Sequence, residues 1–381
     1  MFSFAWPPVP TSRDALPTEL SPHAEKPLLY QRPITVIGPC ASIITFVLGS
    51  QGRRWVYFVA LACVYAVWVS VVSAKDLWGE VAANWQYALT MAFGSFVAGS
   101  TPAGGGSVAF PVLTKVLHDP SVEAKAFSLM IQSVGMSMAT VLILSRRIKL
   151  IPGILLWVTV GGVAGQLLGV FLPASSMVAR LLFTAVAAVF GVALAINRWA
   201  LKASTNEECE VRSLRRKLLM ACVGLIGGYI ASAVGSDINL LTFIVLTLAF
   251  GVDEKFAIPT TVVIMAVNAL FWFVTHLVLQ STQGGTVLER EHVWHAWLAA
   301  VPIVAVGAPL GSWVASVVKR DALIVFLLLL IFVEVASTVV ILGPKMSSEE
   351  IGIVAGMVVF SLLWFWAMHR YRKATRPADF A

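Results

Sequence analysis

The residues best suited to chemistry in this sequence are small and polar, and they are set inside apolar runs. Thr101, Gly104, Gly105, Gly106 and Ser107 fall in the segment Ser-Thr-Pro-Ala-Gly-Gly-Gly-Ser (Ser100 to Ser107), and Gly235, Ser236, Asp237 and Asn239 mark a second one. Pro102 and the glycine triplet break a helix, and glycine lets the backbone approach a ligand with no Cβ in the way. A helix restarting near Ser107 would aim its free N–H groups and the positive end of its dipole at the break, which favours an anion. With the hydroxyls of Thr101 and Ser107, such a tip could hold an oxyanion without lysine or arginine. The same glycines also suit close packing, because small residues let membrane helices touch.

Ionisable groups inside a membrane are expensive and tend to be functional. Asp237 is a candidate for proton or cation coupling, or a cap for the helix that follows it. Ser236 and Asn239 add polar contacts there. Glu334 has no basic residue within a helical turn; it is either a second proton carrier or a protonated hydrogen-bonder. Ser128 and Gln132 are four apart, Thr261 and Asn268 seven apart with Thr260 alongside, so each set shares a helix face. They read as cavity lining, chiefly Gln132 and Asn268, or as interhelical hydrogen bonds. His276, His292 and His295 sit at or beyond span ends with no completing cysteine or carboxylate. Cys40, Cys63, Cys209 and Cys222 have no paired or metal-type spacing, so neither a metal nor any other cofactor is expected.

These residues must be positioned by membrane helices. The chain is 58% hydrophobic and 12% charged, with mean hydropathy +0.85, against about 25% charged residues in soluble domains. A bilayer core needs roughly 20 apolar residues per helix. Trp55 to Ala74, Val122 to Ser145, Ile151 to Leu172, Met177 to Asn197, Phe256 to Leu279, Val293 to Val318, Ala322 to Leu342 and Ile351 to Met368 satisfy that, while Ile34 to Ser50 is short and holds Pro39. Trp85 to Leu117 and Lys217 to Phe250 are each split by one of the polar breaks. Unpaired backbone at membrane depth survives only when buried in protein or facing a watery cavity.

The net charge of +7 is gathered in short clusters: Arg53 and Arg54, Arg146 to Lys149, Arg198 through Lys217, Lys319 and Arg320, and Arg370 through Arg376. These mark cytoplasmic loops rather than a nucleic-acid face. Alternation of sides then makes Trp85 to Leu117 a hairpin entering from outside and Lys217 to Phe250 one entering from inside, with an odd number of spans between them. The expected fold is an all-α polytopic bundle of two inverted repeats, each a broken-helix hairpin followed by spanning helices. The organisation is a polar tail (1–33), N-terminal membrane segments (34–83), a first repeat (84–200), a basic linker (201–216), a second repeat (217–343), and a last span with a basic tail (344–381).

Gly104-Gly105-Gly106, followed by Ser107-Val108-Ala109-Phe110 and Pro111, resembles the glycine triplet, four residues and proline of the TauE/SafE family of sulfite and organosulfonate exporters. The resemblance extends to Pro120 to Gln132 and to Val252 to Asn268 with Pro259-Thr260-Thr261. Val234-Gly235-Ser236-Asp237 stands where that pattern has a second glycine triplet. The resemblance implies a transporter with pseudo-twofold halves and a sulfite or small sulfonate substrate.

The functional expectation is a secondary carrier of small anions in the plasma membrane, working by alternating access. Its partners are the lipid bilayer, the anion and, as a candidate coupling ion, the proton. The absence of a Walker loop, a metalloprotease His-Glu pair and a nucleophile elbow argues against ATP-driven transport by this chain alone and against an enzyme. An anion channel and a membrane-embedded hydrolase using Asp237 are the rival readings.

Overall fold

A computed structural model describes residues 54–102, 104–172, 211, 213–235, 238–284 and 287–345, with scattered residues of 181–198 and 351–370. The polar tail, the run Ile34 to Ser50, most of Met177 to Asn197 and half of Ile351 to Met368 lie outside the described residues. What is described is helical, with no strand. In chain order the helices are α1 (Arg54–Ala74), α2 (Trp78–Ala83), α3 (Trp85–Ser100), α4 (Gly106–Lys115), α5 (Ser121–Ser145), α6 (Pro152–Phe171), α7 (Leu214–Val234), α8 (Ile238–Ile244, continued by a π turn), α9 (Glu254–Gln283), α10 (Glu291–Val317) and α11 (Arg320–Leu342).

Local signals account for the boundaries. The Ser213 hydroxyl and the Asp253 carboxylate accept backbone N–H groups at the starts of α7 and α9, and Pro152 opens α6, where its missing N–H costs nothing. Gly235 closes α7 in the left-handed conformation, φ 82°, which glycine adopts without a Cβ penalty.

Among the described residues 7 helices are long and apolar enough to cross a membrane, so the chain is a multi-pass integral membrane protein. Trp55, Phe171 and Phe332 are 72%, 72% and 71% exposed; apolar surface on that scale calls for lipid rather than water. Over its most apolar stretch α5 is 72% buried and α1 only 6%, so α5 is central and α1 peripheral.

Two helix pairs are in backbone contact. A Cβ on Gly99 would lie 1.9 Å from the Ala308 carbonyl oxygen, one on Gly311 2.2 Å from that of Phe96, and one on Gly307 2.0 Å from Ser95 Oγ, which seats α3 on α10. Gly161 and Gly165 meet the carbonyls of Ala221 and Leu225 at 2.0 Å in the same sense, while Gly224 and Gly228 meet those of Val158 and Gly162 at 2.2 Å, seating α7 on α6. Each contact uses a small-xxx-small pair, which lets carbonyls and Cα–H groups touch. Helices α5 and α9 pack on one another between these pairs, α5 also on α10 and α9 also on α6. The helix that opens each hairpin is therefore clasped by a helix from the other half of the chain.

Candidate functional site

Both hairpins re-enter on the side from which they start. Tyr87, in the first turn of α3, donates its hydroxyl to Asp119 Oδ2 at 2.7 Å, just past α4. The Tyr87 hydroxyl oxygen also lies 2.8 Å from His292 Nε2 at the start of α10, and Glu123 pairs with Arg290 beside them. For the second hairpin, the Arg216 guanidinium stands 5.8 Å over the Phe250 ring, joining the start of α7 to the end of the π turn. Lys217 lies over Trp157, Lys149 over Phe256, and Arg198 pairs with Asp321 at 2.7 Å. Among the described residues, Lys149, Arg198, Arg216 and Lys217 thus gather at one end of the bundle and the feet of the first hairpin at the other.

The first tip runs from Ser100 to Gly106. Thr101 is extended and buried; its N–H and its hydroxyl both bond the Val97 carbonyl, the hydroxyl at 2.9 Å. Gly104 is left-handed, φ 69°. Helix α4 then starts at Gly106 with no side-chain cap. The N–H groups of that first turn, at Gly106 and Ser107, follow directly on the tip. Gly105 has a packing role as well: a Cβ there would press on Ala98 at 3.3 Å inside the hairpin. Ser100, Thr101 and Pro102 border a crevice with Phe243, Glu254 and Ile258, toward the basic end.

The second tip is seated on α5. A Cβ on Gly235 would lie 2.8 Å from both Cα and Cγ of Lys125, and the Gln132 amide donates to the Gly235 carbonyl at 3.4 Å. Ser236 and Asp237 lie outside the described residues, as do the side chains of Ser107 and Glu334. Asn239, in the first turn of α8, is fully buried, and neither of its amide atoms has a partner among the described residues. An unmade hydrogen bond of this kind costs about 1–3 kcal/mol.

The tips are staggered rather than level. Phe243, which borders the first tip, is five residues along α8 from Ile238, a rise of ~7.5 Å, so the tips stand apart along the bundle axis by on the order of 10 Å. The reason lies in the arms. Helix α3 has 16 residues and α7 has 21, so at 1.5 Å per residue each passes the middle of a ~30 Å core. The expected half-helix in the second hairpin is in fact long enough to cross on its own. Asn239 lies between the two tips.

The remaining anticipated residues divide. Ser128 Oγ is fully buried without a partner among the described residues. Asn268 donates to the Ile264 carbonyl at 2.9 Å and leaves its Oδ1 unbonded. Thr261 spends its hydroxyl on Ile258 in its own helix, and Thr260 bonds Phe256 while accepting the Ile151 N–H at 3.2 Å. Both threonines serve the fold at those atoms. Sequence reasoning passed over Lys125 and Glu254. A lysine inside the apolar span Val122 to Ser145 and an acid opening another were the available signals. No group of three or more metal-ligating side chains occurs among the described residues.

The family described as Sulfite exporter TauE/SafE matches the chain over residues 87–337, from α3 into α11. No curated protein and no solved structure gives a match.

Proposed function

The chain belongs to the TauE/SafE sulfite exporter family, a family of membrane transporters, and we propose that it carries sulfite or a small organosulfonate out of the cell by alternating access. The halves 84–200 and 217–343 act as inverted repeats in the plasma membrane. Their exchange of partners supports this: α3 of the first half packs on α10 of the second, and α7 of the second on α6 of the first.

In this reading the anion is held between the staggered tips. The backbone N–H groups that open α4, at Gly106 and Ser107, meet its oxygens from one side, and Gln132, Asn239 and Asn268 meet them from the other, with the backbone kept close by Gly104, Gly105 and Gly235. Thr101, Ser107, Ser236 and Thr261 line the approach. Asp237 and Glu334 are the proposed coupling groups, taking up a proton when the site is empty or reloaded. The observation that carries the proposal is the fully buried, unpartnered amide of Asn239. Desolvated with nothing to bond, it favours a polar occupant over an empty, apolar core.

The test is flux of labelled sulfite, sulfonates and carboxylates in proteoliposomes, with and without a pH gradient. Saturable sulfite flux that responds to the gradient supports the carrier; flux of none of these anions overturns it. Asp237→Asn should abolish the response to the gradient while leaving counterflow intact.

A further inference from the structure

We propose that Lys125 is the cationic anion-binding residue of this carrier, so that substrate recognition rests on an ammonium group as well as on backbone and amide N–H. The inference depends on the carrier reading above and adds a residue to its site. Lys125 lies in the second turn of α5, and Gly235 at the second tip comes so close that a Cβ there would meet its Cα and Cγ at 2.8 Å. A lysine near a helix end can ordinarily extend its head to the interface; this one is half-buried, with its stem beside the tip. It makes no ion pair and no hydrogen bond among the described residues. Glu123, on the same helix, is taken by Arg290. From α9 the facing titratable group is His276, within electrostatic reach, its ring stacked on Trp272 at 3.8 Å. Histidine offers no counter-charge.

A cation inside a membrane protein is costly unless an anion comes to it, and no carboxylate pairs with Lys125 among the described residues, which leave out Asp237. An independent observation points the same way. Ser128, at i+3 from Lys125, is fully buried with an unbonded hydroxyl, and Gln132, at i+7, presents its amide to the same tip. These spacings place the three on one helix face. An ammonium, a hydroxyl and an amide along one helix face match a compact oxyanion such as sulfite or the head of a sulfonate. They offer a neutral solute nothing comparable.

The experiment is the concentration dependence of sodium sulfite flux in proteoliposomes, together with sulfite titration calorimetry on the purified protein. Lys125→Gln should raise KM and the calorimetric Kd about ten- to hundredfold, the range of a lost charge-assisted contact. Lys125→Arg should keep most of the affinity. Unchanged KM and Kd in Lys125→Gln, with wild-type flux intact, would refute the role of Lys125 and leave the carrier standing. Restoration of affinity in Lys125→Gln/Asp237→Asn would refute it too, making the lysine a counter-ion rather than a ligand. Absence of flux and binding in the wild type would remove both proposals. If Lys125→Gln fails to insert, Ser128→Ala decides: KM rising several-fold upholds the site, and an unchanged KM overturns it.

Discussion

Replacing Gly99 by alanine adds one methyl where α3 lies on α10. That methyl would fall 1.9 Å from the Ala308 carbonyl oxygen, 2.8 Å from its carbon and 2.9 Å from the Ser312 nitrogen. A carbon is accepted against a carbonyl oxygen from about 3.3 Å outward, so the helices must separate by about 1.4 Å. All three obstructing atoms are backbone, so no rotamer change relieves the clash. Overpacking of this kind costs about 1–3 kcal/mol, offset by up to about 1 kcal/mol from the better helix propensity of alanine. A net loss of about 1–2 kcal/mol corresponds to a roughly 5- to 30-fold shift in the folding equilibrium. Because Ser100 follows directly and opens the first tip, the displacement reaches the tip as well. Thermal melting in detergent, followed by tryptophan fluorescence, and sulfite flux at matched reconstitution measure the two effects. Gly79→Ala is the control, since a Cβ there meets nothing within 4 Å. A Gly99→Ala protein as stable and as active as Gly79→Ala would refute the account of the interface.

Gly235→Ala should lower stability by about 1–2 kcal/mol in the same melting assay, since an L residue at φ 82° is strained by roughly that much even before its methyl meets Lys125; equal melting temperatures would show that the tip is not seated as described. Asn239→Leu should raise stability by about 1–3 kcal/mol by removing an unsatisfied amide while sharply weakening sulfite flux; a loss of both would mean that the amide has a structural partner. Tyr87→Phe should cost about 1–2 kcal/mol through the lost bonds to Asp119 and His292 and leave the KM for sulfite unchanged. A changed KM would tie the foot of the first hairpin to the substrate.

The hairpins were legible because their breaks combine proline, glycine and polar residues in runs otherwise apolar throughout. The spans on either side of them have no competing explanation at that length. The partner of each span was not legible. Gly161, Gly165, Gly224 and Gly228 are spaced for backbone contact, yet nothing in the spacing says that α7 meets α6 rather than any other helix. Hydroxyls were the least readable groups. Thr261 and Ser128 look alike as polar positions in apolar helices, but one bonds back to its own turn and the other is left open, a choice of side-chain rotamer. The length of α7 escaped for a related reason: the break at Gly235 marks where the helix stops, not how deep in the membrane it does so.

The glycine clasps also decide where the molecule can yield. Backbone-to-backbone contacts interlock along both helices, so the α3–α10 and α6–α7 pairs would move as rigid beams. Sliding falls instead to the surfaces around α5 and α9, which carry the buried methionines Met130, Met136, Met138 and Met265. Unbranched thioether side chains re-pack at little cost, and small shear displacements of packed helices are an established mode of domain movement.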